Sequence, residues 1–316
     1  MSTSPLVSAI MVSRNNAAVI REAIESVLAQ TYEHLQLMII ENASNDNSWE
    51  IIRRAADRDH RISPLRLESE VSIPRARNLG LDFATGEYIA TIDADDSWLP
   101  ERLGLQIEFM CRDENARLGV CGANCLLVDE QGETLGRKQF PETHEQCVSA
   151  IWYRNPFCHS ATLIRRSVQT SCAGYDETFV VAEDLDLWFR AGRVYQLHNL
   201  QEYLVKYRVW RNNVTFQKHQ QTVRSTIRAR LLARKHRVYA ISACARAALC
   251  FTWLAQWLPP RAAHVLFHLS LRCLGQRCQG RWPSVHSKEN LLRRQGKVPC
   301  MQERPNENRN CCSRIQ

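Results

Sequence analysis

Within the first 111 residues, short β-rich apolar runs alternate with segments whose apolar side chains recur at helical spacing. Residues 6–13, 35–40 and 87–92 read as buried strands. Val19, Ile20, Ala23, Ile24, Val27 and Leu28 form one helical face, and residues 48–56 form a second helix after a polar turn. Pro74 suits the first turn of a helix that reaches residue 84, and a further helix runs from near Pro100 to Cys111. This order predicts an α/β fold: a mostly parallel sheet with helices on both faces. In such sheets ligands bind beyond the carboxyl ends of the strands. Ser13, Glu41 and Asp93 all fall at predicted strand ends, which puts them on one rim.

The strand at 87–92 runs directly into Asp93, Ala94, Asp95 and Asp96. Crowding like charges so closely costs free energy unless a cation or a proton sits among them. A hard divalent ion relieves the repulsion, and Mg²⁺ or Mn²⁺ takes one or two carboxylates together with phosphate oxygens. The cluster therefore points to a metal-bridged phosphate ligand, with Asp96 free to cap the helix that follows.

Farther along, residues 118–140 read as two strands about a turn at 129–132, residues 143–153 as a short helix, 161–165 as a strand, 182–192 as a helix and 205–209 as the last strand. Beyond residue 209 the composition changes. Residues 1–209 hold 21 Lys and Arg against 30 Asp and Glu, net −9, whereas residues 210–316 hold 20 against 3, net +17. The chain thus divides into an α/β domain at 1–209, a basic helical extension at 210–275 and a polar tail at 276–316 whose C-terminal part lacks the apolar content for a core. In the extension, residues 217–238 read as a basic helix, 239–258 as a largely apolar segment with Arg246 near its centre, and 261–275 as an amphipathic basic helix. Such a region reads either as a solvated helical surface or as one attracted to an anionic membrane surface, and residues 239–258 are of a length to pack on protein, lie in the interface or span the membrane. No nucleic-acid recognition motif accompanies the charge, so nucleic acid is not an expected partner.

The 13 cysteines include no CxxC pair and no zinc-like Cys/His spacing. The start of the chain shows no charged segment followed by an apolar run and a cleavage site. Both features lead us to expect reduced thiols and a cytoplasmic protein, peripheral on the inner face of the cytoplasmic membrane.

Six segments stand in order along the chain: PLVSAIMVSRN at 5–15, SVLAQTY at 26–32, IENASND at 40–46, RARNLG at 75–80 with GEYIA at 86–90, DADD at 93–96, and GYD at 174–176 with EDLDLW at 183–188. In this order they resemble the family 2 glycosyltransferases. One such piece would be weak, but six in order span about two-thirds of the chain. The resemblance implies the GT-A fold, a Rossmann-like nucleotide-binding sheet, and inverting sugar transfer from a nucleoside-diphosphate sugar. Asp93 and Asp95 are similar to the family's DxD motif and would hold Mg²⁺ or Mn²⁺ against the donor diphosphate. Glu41 stands where the family places an acid that accepts from the nucleobase, although here Asn42 replaces the second aspartate of the usual pair. Arg77 matches the arginine near the diphosphate, with Arg75 the other donor in reach. Asn78 reads as a residue that ties backbone groups together.

Asp184 matches the aspartate of the family's ED motif and is implied as the base that takes the acceptor proton, with Asp186 the alternative. Glu183 beside it and His159, within NPFCHS at 155–160, are acceptor-side candidates. Trp188 reads as packing. The segment YRVWR at 207–211 resembles the closing strand; it carries Trp210 and Arg211 where some members carry a histidine, so no third metal ligand is expected there, and Arg208 or Arg211 is expected to meet phosphate. A glycan or lipid-linked acceptor in surface polysaccharide synthesis follows from family tendencies. A nucleotidyltransferase would share the acidic pair, but residues 13–16 (SRNN) are not its Gly-rich phosphate loop. A non-catalytic sugar-nucleotide-binding protein would have no need of Asp184.

Overall fold

The structure, a computed structural model, describes residues 4–210 and 219–236 together with Tyr239. Strand β1 (Val7–Ser13) lies between β2 (Leu35–Glu41) and β4 (Tyr88–Asp93), parallel to both. The register sets Ser13 opposite Glu41 and Val12 opposite Asp93, so the expected rim residues end neighbouring strands. Outside β2 runs β3 (Ile62–Arg66), which the sequence pattern did not single out. Pro64 interrupts its backbone donors, and proline of this kind is confined to a sheet edge, where β3 sits.

Beyond β4 the sheet turns mixed. The short β8 (Leu163–Arg165) pairs antiparallel with both β4 and β6 (Leu118–Val128), and β9 (Gln196–Arg208) runs parallel to β6. The two-residue β5 (Ser97–Trp98) closes the order β3-β2-β1-β4-β8-β6-β9-β5, while β7 (Thr134–Lys138) folds back on β6. Parallel pairing therefore holds among the first four strands and again between β6 and β9, and the other pairs are antiparallel.

Helices cover both faces. Ala9, Met11, Leu37, Ile39 and Ile92 pack on α1 (Ile20–Leu28), α2 (Ser48–Ala56) and α4 (Arg102–Met110) through Ile24, Val27, Ile52, Leu103 and Ile107. The alternate residues Ile10, Met38 and Ile89 face the other way, onto a core that holds Val168, Leu185, Trp188 and Phe189. This alternation is the period of two that a sheet imposes. On that second face α3 (Ile73–Phe83) lies so close that a Cβ on Gly80 would come within 2.7 Å of Ile10 Cγ2. Ser72 caps α3, with its hydroxyl accepting from the Arg75 amide.

The remaining helices are α5 (His144–Ala150), α6 (Arg166–Cys172), α7 (Glu183–Ala191) and α8 (His219–Lys235). Ala229 and Ala233 of α8 are buried in the second core, while Arg224, Arg228, Arg234 and Lys235 are exposed. The Arg228 guanidinium donates to Thr178 O at 2.8 Å and lies 4.6 Å from the Phe179 ring centroid. Apart from Tyr239, the expected elements at 239–258 and 261–275 and the tail at 276–316 lie outside the described residues. Among the described residues no helix is long and apolar enough to cross a membrane. The described cysteines are free thiols, and burial pushes Cys121 and Cys147 up to about 12, which makes them poor nucleophiles.

Candidate active site

The site assembles where β4 ends. Asp93 is the last residue of that strand, and its backbone N–H donates to Ser160 Oγ at 3.1 Å. Ser160 also donates to the Asp96 carboxylate, and Asp96 Oδ1 accepts from the Arg208 backbone N–H at 2.9 Å. Asp96 is therefore buried as a staple between the turn after β4 and the end of β9, and does not cap α4, which starts without a side-chain cap. Burial, then the charges of its neighbours, pushes Asp96 well above the usual carboxylate range.

Arg77 projects from α3 and bridges two elements. Nη2 donates to Asp93 Oδ1 at 2.9 Å, Nη1 is paired with Glu183, and the guanidinium lies 5.6 Å from the Tyr175 ring centroid. The bridge joins the end of β4 to the first residue of α7. Burial opposes the charge on Arg77, yet Glu183 and Asp93 outweigh it and raise its pKa. The two acids move in opposite directions although they share this cation. Burial would raise Asp93, but His159 and Arg77 together hold its carboxyl well below the usual range. Glu183 is raised by burial, with Asp184 adding to the rise and Arg77 opposing it.

Asp95 is partly exposed and accepts from Trp210 Nε1 at 2.8 Å through Oδ2. Burial, then the Asp93 charge, pushes its carboxyl up to about 6. Two hard oxygen donors under mutual repulsion suit a divalent cation, which would reverse that shift. Among the described residues no group of three or more His, Cys, Asp and Glu side chains is arranged to hold a metal. An ion on Asp93 and Asp95 would thus draw its other ligands from substrate or water, as Mg²⁺ commonly does.

Arg208 does not serve phosphate as expected. It is 2% exposed, and its guanidinium donates to Asp95 O at 3.0 Å, to Asp129 O at 3.0 Å, to Glu130 O at 2.9 Å and to Glu22. Its charge ties β9 to two turns and to α1. Arg211 lies outside the described residues.

Glu41 ends β2 fully buried. Oε1 accepts from the Ser44 N–H at 2.6 Å; Oε2 lies 3.5 Å from Arg66 Nε but has no hydrogen bond. Burying a carboxylate oxygen whose only partner is an ion pair at that distance is costly. Asn42 holds the Val71 backbone through both its amide atoms, each at 2.9 Å.

Asp184 lies in the first turn of α7, where acids also favour the helix dipole. Its Oδ2 accepts from Asn155 Nδ2 at 2.6 Å and its Oδ1 from the Leu185 N–H at 2.7 Å. Asp186, the alternative base, is buried against Arg190 with Oδ2 2.8 Å from Nε. His159 stands in a 3-10 turn at His159–Ala161, with Nε2 3.0 Å from Tyr175 Oη and Nδ1 3.7 Å from Asp93 Oδ1. Tyr175 is held in turn by Asn78, which bonds both its backbone N–H and C=O at 2.9 Å. Arg75 pairs with Glu177 at 3.3 Å, and Trp188 is buried 5.1 Å from the Phe157 ring.

Arg77 thus joins Asp93 to Glu183, with His159 beside Asp93, Asp184 next to Glu183 in α7 and Asp95 two residues past Asp93, and Glu41 stands two strands away on the same rim. Sequence reasoning did not single out Asn155, Ser160 or Tyr175 as partners, although they lie in the segments at 155–160 and 174–176; it placed Trp210 where some family members carry a histidine but assigned it no contact.

Residues 8–168 match the model of glycosyl transferase family 2. The chain is 33% identical over 212 residues to EpsE of Bacillus subtilis (strain 168), a protein named as a glycosyltransferase, covering 66% of this chain and 74% of EpsE. It is 37% identical over 106 residues to TuaG of the same organism, named for glycosyl transfer in teichuronic acid biosynthesis, covering 34% of this chain and 42% of TuaG. Among solved structures, the mannosyltransferase PcManGT from Pyrobaculum calidifontis, in complex with GDP-Man and Mn²⁺, superposes with a TM-score of 0.60 at 15% identity over 87% of this chain and 76% of that one. S. aureus TarS 1-349 in complex with UDP-GlcNAc superposes with a TM-score of 0.56 at 16% identity over 84% and 87%. These likenesses identify the fold as of GT-A type.

Proposed function

The chain belongs to glycosyl transferase family 2, and we propose that it moves a sugar from a nucleoside-diphosphate sugar, a UDP-sugar in the first instance, to an acceptor hydroxyl with inversion at the anomeric carbon. The observation that carries this reading is the Arg77 bridge, which ties the strand-end carboxylate Asp93 to Glu183, the neighbour of Asp184. It brings a donor-phosphate region and a candidate base to one place.

In this reading Glu41 Oε2 accepts a ring N–H of the nucleobase. Asp93 and Asp95 are the residues that would hold Mg²⁺ or Mn²⁺, and such an ion offsets negative charge on the departing diphosphate when bound. Arg77, a two-armed donor held by Asp93 and Glu183, sets its charge on the diphosphate side in advance. Asp184 removes the proton from the acceptor hydroxyl. That oxygen forms its bond to the anomeric carbon while the bond to the diphosphate breaks and its electron pair leaves with the nucleotide. Asn155 holds the Asp184 carboxylate in orientation. Glu183 and His159, expected on the acceptor side, instead serve to position Arg77 and Asp93.

The relatives support a glycan or lipid-linked acceptor in surface polysaccharide synthesis. The solved neighbours, with GDP-Man in one and UDP-GlcNAc in another, support a nucleotide-sugar donor. The net charge of +17 on residues 210–316 and the exposed basic side chains of α8 support attachment to an anionic membrane surface, on the inner face of the cytoplasmic membrane.

A thermal-shift panel of UDP-, dTDP- and GDP-sugars, repeated on Glu41→Gln, tests the donor reading. One donor should raise the melting temperature of the parent, and the variant should lose most of that rise. No response to any nucleotide-sugar would remove the reading.

A further inference from the structure

Asp93 and Asp95 are each committed to the protein through one oxygen. Arg77 Nη2 donates to Asp93 Oδ1 at 2.9 Å, and His159 Nδ1 stands 3.7 Å from the same oxygen. Trp210 Nε1 donates to Asp95 Oδ2 at 2.8 Å. Among the described residues these contacts fall on one oxygen of each carboxylate, so Asp93 Oδ2 and Asp95 Oδ1 are the atoms left for a ligand.

The indole is delivered to Asp95 by a segment that is itself held. The Val209 N–H donates to Val128 O at 2.8 Å, which keeps the chain on β6 one residue past the end of β9. Arg208 donates from Nε to Asp95 O at 3.0 Å and from its backbone N–H to Asp96 Oδ1 at 2.9 Å. Residues 208–210 are therefore fastened to the turn at Asp95 and Asp96 at three points, and the Trp210 contact is the one that lands on the Asp95 side chain.

An indole N–H is a donor only, so Trp210 cannot itself ligate a cation through that atom. Its effect is on the carboxylate. It fixes the plane of Asp95 and engages the oxygen that a two-oxygen grip would need. Mg²⁺ demands a near-ideal octahedron, takes carboxylates by single oxygens and fills the rest with water and phosphate; Mn²⁺ suits the same octahedral oxygen set. Ca²⁺ takes more oxygens, in looser geometry, and accepts a carboxylate by both of them.

We propose that Trp210 is a specificity-determining residue of the cation site: by holding Asp95 Oδ2 it restricts Asp95 to coordination through one oxygen, and so favours Mg²⁺ and Mn²⁺ over Ca²⁺. The proposal rests on the transferase reading above, in which Asp93 and Asp95 hold the ion. Trp210 acts through Asp95 and touches neither donor nor acceptor.

The test is calorimetric titration of UDP into the full chain in Mg²⁺, Mn²⁺, Ca²⁺ or EDTA, repeated on Trp210→Phe, which keeps an aromatic ring and loses the donor. The parent should bind UDP about tenfold or more tightly with Mg²⁺ or Mn²⁺ than with Ca²⁺. In Trp210→Phe the affinity with Mg²⁺ and Mn²⁺ should fall by about tenfold, as loss of a group that orients a metal ligand does, while the affinity with Ca²⁺ holds or rises. The preference between the ions then narrows by about tenfold. Trp210→Leu takes the same measurement if Trp210→Phe does not fold. A variant that melts lower but keeps the parent's preference shows a contact that serves stability alone, and overturns the proposal while leaving the cation site in place. So does a parent that gains equally from Mg²⁺ and Ca²⁺. A parent whose UDP affinity is the same with every ion and in EDTA removes the cation reading itself, and the proposal with it.

Discussion

The Asn155 side-chain amide donates to Asp184 Oδ2 at 2.6 Å across 29 residues of chain. The contact joins the loop after α5 to the first turn of α7 and fixes one oxygen of the proposed base, while the other accepts from the Leu185 N–H. Asp184→Asn keeps the shape and removes the basicity, so transfer should fall by about 10²–10⁴ with UDP binding retained. Asn155→Ala leaves the base in place but loosely held, and a loss of about tenfold is expected. Steady-state transfer rates with calorimetric UDP affinities check both. Parental turnover in Asp184→Asn would require another base.

The Arg77 bridge makes a prediction about stability. Its side chain is 11% exposed and sits between two carboxylates. Arg77→Met removes the cation and leaves both acids without it, and breaking a buried pair in this way costs about 3–5 kcal/mol. Arg77→Lys holds one carboxylate at a time and should fall between the two. Urea unfolding of the three proteins measures the order. A parental midpoint for Arg77→Met would show that the bridge adds nothing in solution.

The strand ends of this site were legible because local pattern sets them. The run of residues 87–92 ends in Asp93, and the helix at 48–56 has the limits its apolar period gives. Other parts depend on distant partners. Pro64 hid β3, whose role as an edge strand exists only once β2 is beside it. Of β9 only the apolar end was visible, because Asn199 and Gln201 break the pattern; in the fold Asn199 is buried and donates to Pro141 O at 2.6 Å. Arg208 read as a phosphate ligand from its place in the closing-strand segment at 207–211, whereas here four protein acceptors surround it. Asn78 was read rightly as a backbone tie, but its target, Tyr175, lies 97 residues on.

At the edge of the sheet, Asp59 accepts from Arg61 Nη2 at 2.8 Å and from the Arg61 backbone N–H at 2.9 Å, while Arg61 also reaches Leu28 O at the end of α1. The Arg61 hydrogen bond holds the Asp59 carboxyl down at about 2, below its ordinary 3.8. A carboxyl depressed on folding contributes stability above its unfolded pKa and loses it as pH falls through the folded one. The gap in stability between the parent and Asp59→Asn should be constant above about pH 5 and should close as pH falls toward about 2. Chemical unfolding across that range checks it, and a gap that does not change with pH would contradict the pairing.

The exposed cations of α8 predict salt-sensitive binding to anionic vesicles. Each Lys or Arg near such a surface contributes about 1 kcal/mol, so the Arg224→Gln, Arg234→Gln, Lys235→Gln triple variant should bind roughly 100-fold more weakly. Sedimentation with phosphatidylglycerol vesicles, against phosphatidylcholine as control, measures this. Equal binding by parent and variant would dismiss α8 as the contact.

The most direct test is calorimetric titration of UDP into the parent and into the Asp93→Asn, Asp95→Asn double variant, each with Mn²⁺ and with EDTA. Tight binding by the parent only when Mn²⁺ is present, and no gain from Mn²⁺ in the variant, is the predicted result. UDP affinity that is the same in EDTA, or a Mn²⁺ gain that survives loss of both carboxylates, would contradict the account.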